Sequence, residues 1–231
     1  MRKLGIIAAM EEELEIIKNA LEDQTQVDAA HMSFYTGTVH EQDLVIVQSG
    51  IGKVNAAMAA VILVEKFGVD AIINTGSAGA LAAELEQGDL VISQQLAYHD
   101  VDATAFGYAV GQVPQMPLYY KSDAGLNEKI EEAAHQADWK VIFGDILTSD
   151  SFIADSQALE KIKDDFPEAL VTEMEGAAIA QVAFQYGLPF TVVRAVSDSA
   201  DGQAAQSFDE FITEAGKKSA DMVLKYIAQA K

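Results

Sequence analysis

Thr191-Val-Val-Arg-Ala-Val-Ser-Asp-Ser-Ala-Asp201 decides how the rest of this sequence is read. It opens as an apolar, β-branched run, the composition of a strand buried on both faces. It closes on Ser197, Asp198, Ser199 and Asp201, side chains that cannot extend a core. In α/β sheets, ligands bind beyond the carboxyl ends of the strands, so a buried strand that delivers a carboxylate there marks a site. The plain alternative is a turn capped by Asp198. Other acidic strand ends along the chain favour the site.

Working outward, Leu4 to Met10 predicts a first strand and Glu11 to Leu21 a helix, with Leu14, Ile17 and Leu21 at helical spacing. Met32 to Val39 and Leu44 to Ser49 flank His40-Glu-Gln-Asp43 as a hairpin. Gly50-Ile-Gly52 turns the chain into a helix along which Val54, Met58, Val61 and Glu65 step. Ala71 to Asn74 predicts a strand broken by Thr75-Gly-Ser-Ala-Gly79, and Leu90 to Gln95 another. Tyr98 to Tyr120, with aromatics, prolines and no helical period, predicts a long functional or interfacial loop. Helices follow at Asp123 to Ala137, Ser156 to Phe166, alanine-rich Gly176 to Tyr186 and Phe208 to Ala230, with strands at Val141 to Leu147 and Ala169 to Thr172. The alternation predicts an α/β fold of three layers, α/β/α, with a mixed, mostly parallel central sheet.

With 231 residues, half of them hydrophobic, and no linker or repeat, a single domain over 1–231 is expected. A net charge of −21 argues against nucleic acid and anionic membranes as partners. Cysteine is absent, which excludes disulfides, thiolate nucleophiles and thiolate metal sites. Arg2 and Lys3 before a short apolar run have the look of a signal peptide, but Glu11-Glu-Glu13 follow at once. The run reads better as a strand, and a soluble, cytoplasmic protein is expected.

Familiar motifs fail. Gly50-Ile-Gly52-Lys53 is no P-loop, with Val47 and Val54 at decisive positions, and Asn55 excludes a dinucleotide fingerprint. Gly76-Ser-Ala-Gly79 lacks the spacing of a nucleophile elbow. Ser197 and Phe208 stand where a calcium loop needs acids. Tyr98-His-Asp-Val-Asp102 reads as a loop turn, so no metal and no cofactor is expected.

What remains is three acidic strand ends, Met10 to Glu13, Glu173-Met-Glu175 and Ser197-Asp198, with glycine turns at Gly50 to Gly52 and Gly76 to Gly79. Carboxylates sharing one crevice repel, so at least one should hold a proton. A protonated acid beside an ionised base is the pattern of glycosyl hydrolysis. Glu11 and Glu12 read as surface carboxylates, whereas Glu175, between Met174 and Gly176-Ala-Ala178, does not.

Ala9-Met-Glu-Glu-Glu13, Ser49-Gly-Ile-Gly-Lys53, Asn74-Thr-Gly-Ser-Ala-Gly79, Glu173-Met-Glu175 and Arg194-Ala-Val-Ser-Asp198 together resemble the 5′-methylthioadenosine/S-adenosylhomocysteine nucleosidases of the nucleoside phosphorylase superfamily. The Glu-Met-Glu and Ser-Asp runs identify only the superfamily; the Met-Glu-Glu-Glu start and Thr104-Ala-Phe-Gly-Tyr108 are more specific. The resemblance implies Asp198 as general acid at purine N7, Glu13 as base for the attacking water and Glu175 as acceptor from both ribose hydroxyls. It also implies Phe152 stacked on the purine, the Ile153 backbone reading its edge, and Met10 and Met174 packed on the ribose. Ser77, Gly79 and Arg194 would line the water and sugar side, and Ile51, Glu173 and Ser197 complete the substrate-binding set. Phe208, with Phe106, Tyr108 and Pro114 from a partner subunit, would form a slot for the 5′-thioether; plain core is the alternative for these aromatics.

Phosphorolysis needs several cations, usually arginines, and this chain has two, Arg2 and Arg194. That composition, with a carboxylate at Glu13, favours water over phosphate. The expectation is a homodimeric N-glycosidase acting on methylthioadenosine, S-adenosylhomocysteine and 5′-deoxyadenosine in methionine salvage. A related hydrolase or phosphorylase, such as a futalosine hydrolase, and a non-catalytic nucleoside-binding protein on the same fold are the rivals.

Overall fold

The computed structural model describes residues 3–198 and 204–229, with side chains throughout except at 204–210. Arg2, Ser199, Asp201 and the Phe208 side chain therefore lie outside the described residues. The chain runs through β1 (Leu4–Ala8), α1 (Glu11–Asn19), β2 (Glu22–Ala29), β3 (Met32–Val39), β4 (Gln42–Gln48) and α2 (Lys53–Phe67). It continues through β5 (Ala71–Ala80), β6 (Leu90–Tyr98), a 3-10 turn (Thr104–Phe106), β7 (Tyr120–Lys121), α3 (Ala124–Gln136) and β8 (Val141–Thr148). Last come α4 (Ser156–Asp165), β9 (Ala169–Glu173), α5 (Gly176–Tyr186), β10 (Phe190–Asp198) and α6 (Ala204–Gln229).

The strands form one mixed sheet in the order β10-β6-β8-β9-β5-β1-β4-β3-β2, with β7 beside β6. Because β5 also pairs with β10, the strands β5, β10, β6, β8 and β9 close into a ring, and β1, β4, β3 and β2 fan out from it. Parallel pairings run through the middle: β1 with β4 and β5, β5 with β10, β8 with β6 and β9. Side chains alternate between the faces as strand geometry requires. Ile7, Val47, Ile72 and Val192 pack with α2 and α5, whereas Ile6, Ile46, Ile73 and Val193 pack with α1, α3 and α6. This is the expected α/β/α layering.

Two differences from the sequence reading have clear causes. β5 does not break at Asn74 but runs on through Thr75–Gly79, because β10 keeps pairing with it as far as Gly79. β2 was not anticipated, since its residues are mostly exposed and it has no buried face to leave an alternating pattern. Val54, Met58 and Val61 on α2 turn outward, and its inner face is Ala56, Ala59, Ala60 and Leu63. The Tyr98–Tyr120 segment runs from the last residue of β6 to the first of β7 as a loop with one 3-10 turn.

Candidate active site

A cavity of about 300 Å³ opens where β1, β5, β9 and β10 end. The β1–α1 junction supplies Ala9, Met10 and Glu13, the turn before α2 supplies Ile51, and β5 supplies Ser77, Ala78 and Gly79. The loop after β8 adds Phe152, the end of β9 adds Thr172, Glu173, Met174 and Glu175, and β10 adds Ser197 and Asp198. Ile153 lines an adjoining recess with Phe152 and Asp198. The three acidic strand ends thus meet in one place.

Glu13 is buried while Glu11 and Glu12 are exposed, so one turn of α1 sorts three consecutive acids. Its Oε2 accepts from the Ala9 and Met10 N–H groups at 3.0 and 3.1 Å, closing the first turn of α1. Its Oε1 accepts from the Ser77 N–H at 3.1 Å and the Ser77 hydroxyl at 3.3 Å. Burial pushes the Glu13 carboxyl above its ordinary range, against the pull of Arg194 and of those backbone donors.

Glu173 caps α5: its Oε2 accepts from the N–H groups of Glu175 at 3.0 Å and Gly176 at 2.7 Å. A side chain at position 176 would collide with Leu96, which is why glycine follows the Glu-Met-Glu run. Thr148 donates to the other Glu173 oxygen. Glu175 accepts the Gly52 N–H at 2.9 Å, tying the turn before α2 to the cavity. Its carboxyl is raised to about 7, first by burial and then by the Glu173 charge.

Arg194 corrects the sequence reading. It does not line the cavity but lies buried behind it, its Nη2 bonded to Glu173, to Asn74 Oδ1 at 2.7 Å and to Glu175 Oε2 at 3.4 Å. Asn74, a polar residue inside a β-branched run, was the overlooked sign of this partner.

Between Val196 and Asp198 the pairing of β10 with β5 shifts, leaving Ser197 as the extra residue of a bulge. In a regular strand, neighbours point to opposite faces; here Ser197 and Asp198 line the same cavity. Ser197 Oγ donates to Asp198 Oδ2 at 2.8 Å, and both residues are buried.

Beside the Gly52 turn, Lys53 Nζ sits 2.6 Å from Asp100 Oδ2 and 3.6 Å from Asp150 Oδ2. Asp150 also accepts the Lys53 N–H at 2.8 Å, and Asp100 accepts the Asp150 N–H at 3.1 Å. The acidic run at Tyr98–Asp102 is therefore a clasp between loops. Among the described residues, no three His, Asp or Glu side chains are grouped as a metal centre requires.

Phe106, Tyr108 and Pro114 are not among the described residues lining this cavity; Phe106 is 81% exposed and Pro114 is exposed. Ala9, Ala78 and Thr172 line it without having been singled out, being small residues that carry no chemical signature.

A family model of the phosphorylase superfamily matches residues 3–228. A curated 5′-methylthioadenosine/S-adenosylhomocysteine nucleosidase of Staphylococcus haemolyticus is 50% identical over 220 residues, 95% of this chain and 96% of that protein. The S-adenosylhomocysteine nucleosidase of Streptococcus pyogenes, solved with 5-methylthiotubericidin, superposes with a TM-score of 0.97 at 47% identity, over 100% of this chain and 98% of that one. The futalosine hydrolase of Helicobacter pylori shares the fold at a TM-score of 0.94 but only 30% identity, over 98% of this chain and 97% of that one. The chain belongs to the phosphorylase superfamily, in its family of 5′-methylthioadenosine/S-adenosylhomocysteine nucleosidases.

Proposed function

We propose that this enzyme hydrolyses the N-glycosidic bond of 5′-methylthioadenosine and S-adenosylhomocysteine, releasing adenine and the 5-substituted ribose. The observation that carries the reading is the convergence of Glu13, Glu173, Glu175 and Asp198 on one cavity. No lysine or arginine is among its described lining residues, and the Arg194 guanidinium is engaged with carboxylates behind it. Such a site repels phosphate and suits a transition state with positive charge on the sugar.

In this reading Asp198 gives its proton to purine N7 as the C–N bond breaks, so adenine leaves neutral. Glu13 takes a proton from the water that bonds to the anomeric carbon. Burial helps here, since a carboxylate with a raised pKa is a stronger base. Glu175 accepts from the ribose hydroxyls and faces the cationic sugar. Phe152 stacks on the purine, Ile153 and Ser197 bound its recess, and Met10, Ile51 and Met174 pack the sugar, with Ser77 and Gly79 on the water side. Adenine release from methylthioadenosine, compared with and without phosphate and against futalosine, tests the reaction. Phosphate-independent release is expected; a phosphate requirement or a preference for futalosine would reject the reading. Asp198→Asn and Glu13→Gln should each lower kcat by about 10²–10⁴, and full activity in either removes that residue's role.

The reading extends to 5′-deoxyadenosine as a substrate, to methionine salvage, to a cytoplasmic location and to a homodimer. For the dimer, support comes from α2, whose outward Val54 and Met58 are 73% and 39% exposed, and from the exposed Phe106. A partner's Phe106, Tyr108 and Pro114 would then reach the 5′ end of the substrate. Sedimentation at micromolar concentration should give twice the 24.8 kDa chain mass, and a monomer that retains full activity refutes this part.

A further inference from the structure

We infer that Ser219, on α6, is a positioning residue for the hydrolysis: it fixes the Thr75–Gly76 peptide and thereby Ser77, which presents two donors to Glu13. The inference rests on the proposed role of Glu13 as base. Ser219 is fully buried, three turns and more into a helix that otherwise packs apolar side chains on the sheet. Its Oγ lies 3.0 Å from the Val193 carbonyl, 2.6 Å from Thr75 Oγ1 and 3.1 Å from the Gly76 N. A serine hydroxyl has one hydrogen and two lone pairs. With its hydrogen on Val193, it must accept from both Thr75 and Gly76, so its bonding capacity is full.

It acts on β5 opposite a gap in the sheet. Pairing of β5 with β1 ends at Asn74, and pairing with β9 begins at Gly79. On the opposite, β10 edge the Gly76 N–H goes to Ser219, which also bonds the Val193 carbonyl, while across the gap the next residue sends both its N–H and its hydroxyl to Glu13 Oε1. The same helix also touches the acid directly, since a Cβ at Gly216 would lie 3.0 Å from Glu13 Cγ. The α6 helix thus holds Glu13 from one side with Gly216 and, through Ser219, sets the donors that face it from the other. Glu173 of β9 and Asp198 of β10 share the cavity with Glu13, and the charges that act on it most directly are Arg194 from β10 and Glu175 from the start of α5. Ser219 leaves both in place, so its removal isolates the contribution of the Ser77 donors.

The test compares Ser219→Ala, Ser219→Thr and Thr75→Val in full-length enzyme, following adenine release from methylthioadenosine across pH, with melting temperatures alongside. In Ser219→Ala, kcat is expected to fall about 10- to 100-fold, the cost of a misplaced catalytic group, with KM nearly unchanged. The acid limb of the kcat profile should move to higher pH, because the Ser77 bonds favour the ionised form of Glu13. Ser219→Thr keeps the hydroxyl and should restore the wild-type limb. Thr75→Val loses the neighbouring bond but spares the Gly76 N–H, so it should melt earlier with its acid limb unmoved. If Ser219→Ala does not fold, Ser219→Cys, which fills the space but accepts weakly, carries the same expectation. A lower melting temperature with an unshifted pH limb, or equal shifts in Ser219→Ala and Thr75→Val, would overturn the inference. Full turnover in Glu13→Gln would instead refute the base assignment on which it stands.

Discussion

Glu11, Glu12 and Glu13 are chemically one residue type, and only geometry makes the third of them special. In the sequence Glu11 and Glu12 read as surface carboxylates and the role of Glu13 came from the resemblance; the structure supplies the reason, since the helix starting at Glu11 turns its third residue toward the sheet. Arg194 was legible as buried but not as hidden from the cavity; a sequence shows that a strand is apolar, not which polar partners wait beside it. Its partners make a prediction. Arg194→Met leaves Glu173 and Glu175 buried without their cation, expected to cost about 3–5 kcal/mol in urea unfolding near neutral pH. The cost should shrink in acid, where the carboxylates take up protons instead. Gly76→Ala tests the same packing from the other side. Its methyl group would run into the Arg194 guanidinium and lie 2.9 Å from Glu13 Oε1, in a place with no room to yield. A loss of about 1–3 kcal/mol is expected, together with a fall in kcat, and an active, equally stable variant would show that the guanidinium can move.

The elements that carry the site were legible where they were apolar and illegible where they were not. β1, α5 and β10 announced themselves by composition, and the long Tyr98–Tyr120 connection by having none. β5 was cut short at Asn74 in the sequence reading because Thr-Gly-Ser-Ala-Gly has the composition of a turn. What keeps it extended is pairing with β10, a partner more than a hundred residues away. The turn before α2 is likewise held by distant groups, Glu175 on its Gly52 N–H and Asp150 on its Lys53 N–H. Lys53 closes this clasp from a partly exposed position, and exposed ion pairs contribute about 0–1 kcal/mol. Its effect should therefore fall on binding rather than on stability. Lys53→Met is expected to raise KM severalfold while shifting the melting temperature little; an unchanged KM would make the clasp incidental.

For the whole molecule, the layered fold and the meeting of acidic strand ends were legible, while the closure of the sheet was not, because ring closure is a matter of register rather than pattern. Stability should carry the mark of the acids. The Glu175 carboxyl holds its proton to about 7 when folded, against 4.5 for the free group. The native state thus binds more protons between those values, and stability falls as pH rises through that window. Burial lowers the His99 pKa, an opposite contribution that weakens the fold in acid, so the comparison must be internal. Glu175→Gln should gain melting temperature relative to wild type from about pH 5 to about pH 8, and a constant difference would contradict the assignment. The net charge of −21 predicts, separately, that added salt raises the melting temperature by screening self-repulsion. The five-strand ring has one more consequence. Among the described residues, a sheet that bites its own tail at one end offers a single long unpaired border, that of β2, as a template for stray chains. Glu22, Asp23 and Asp28 line that border and an irregularity between Glu22 and Thr25 bends it, so the enzyme guards against fibril-like growth on one flank alone.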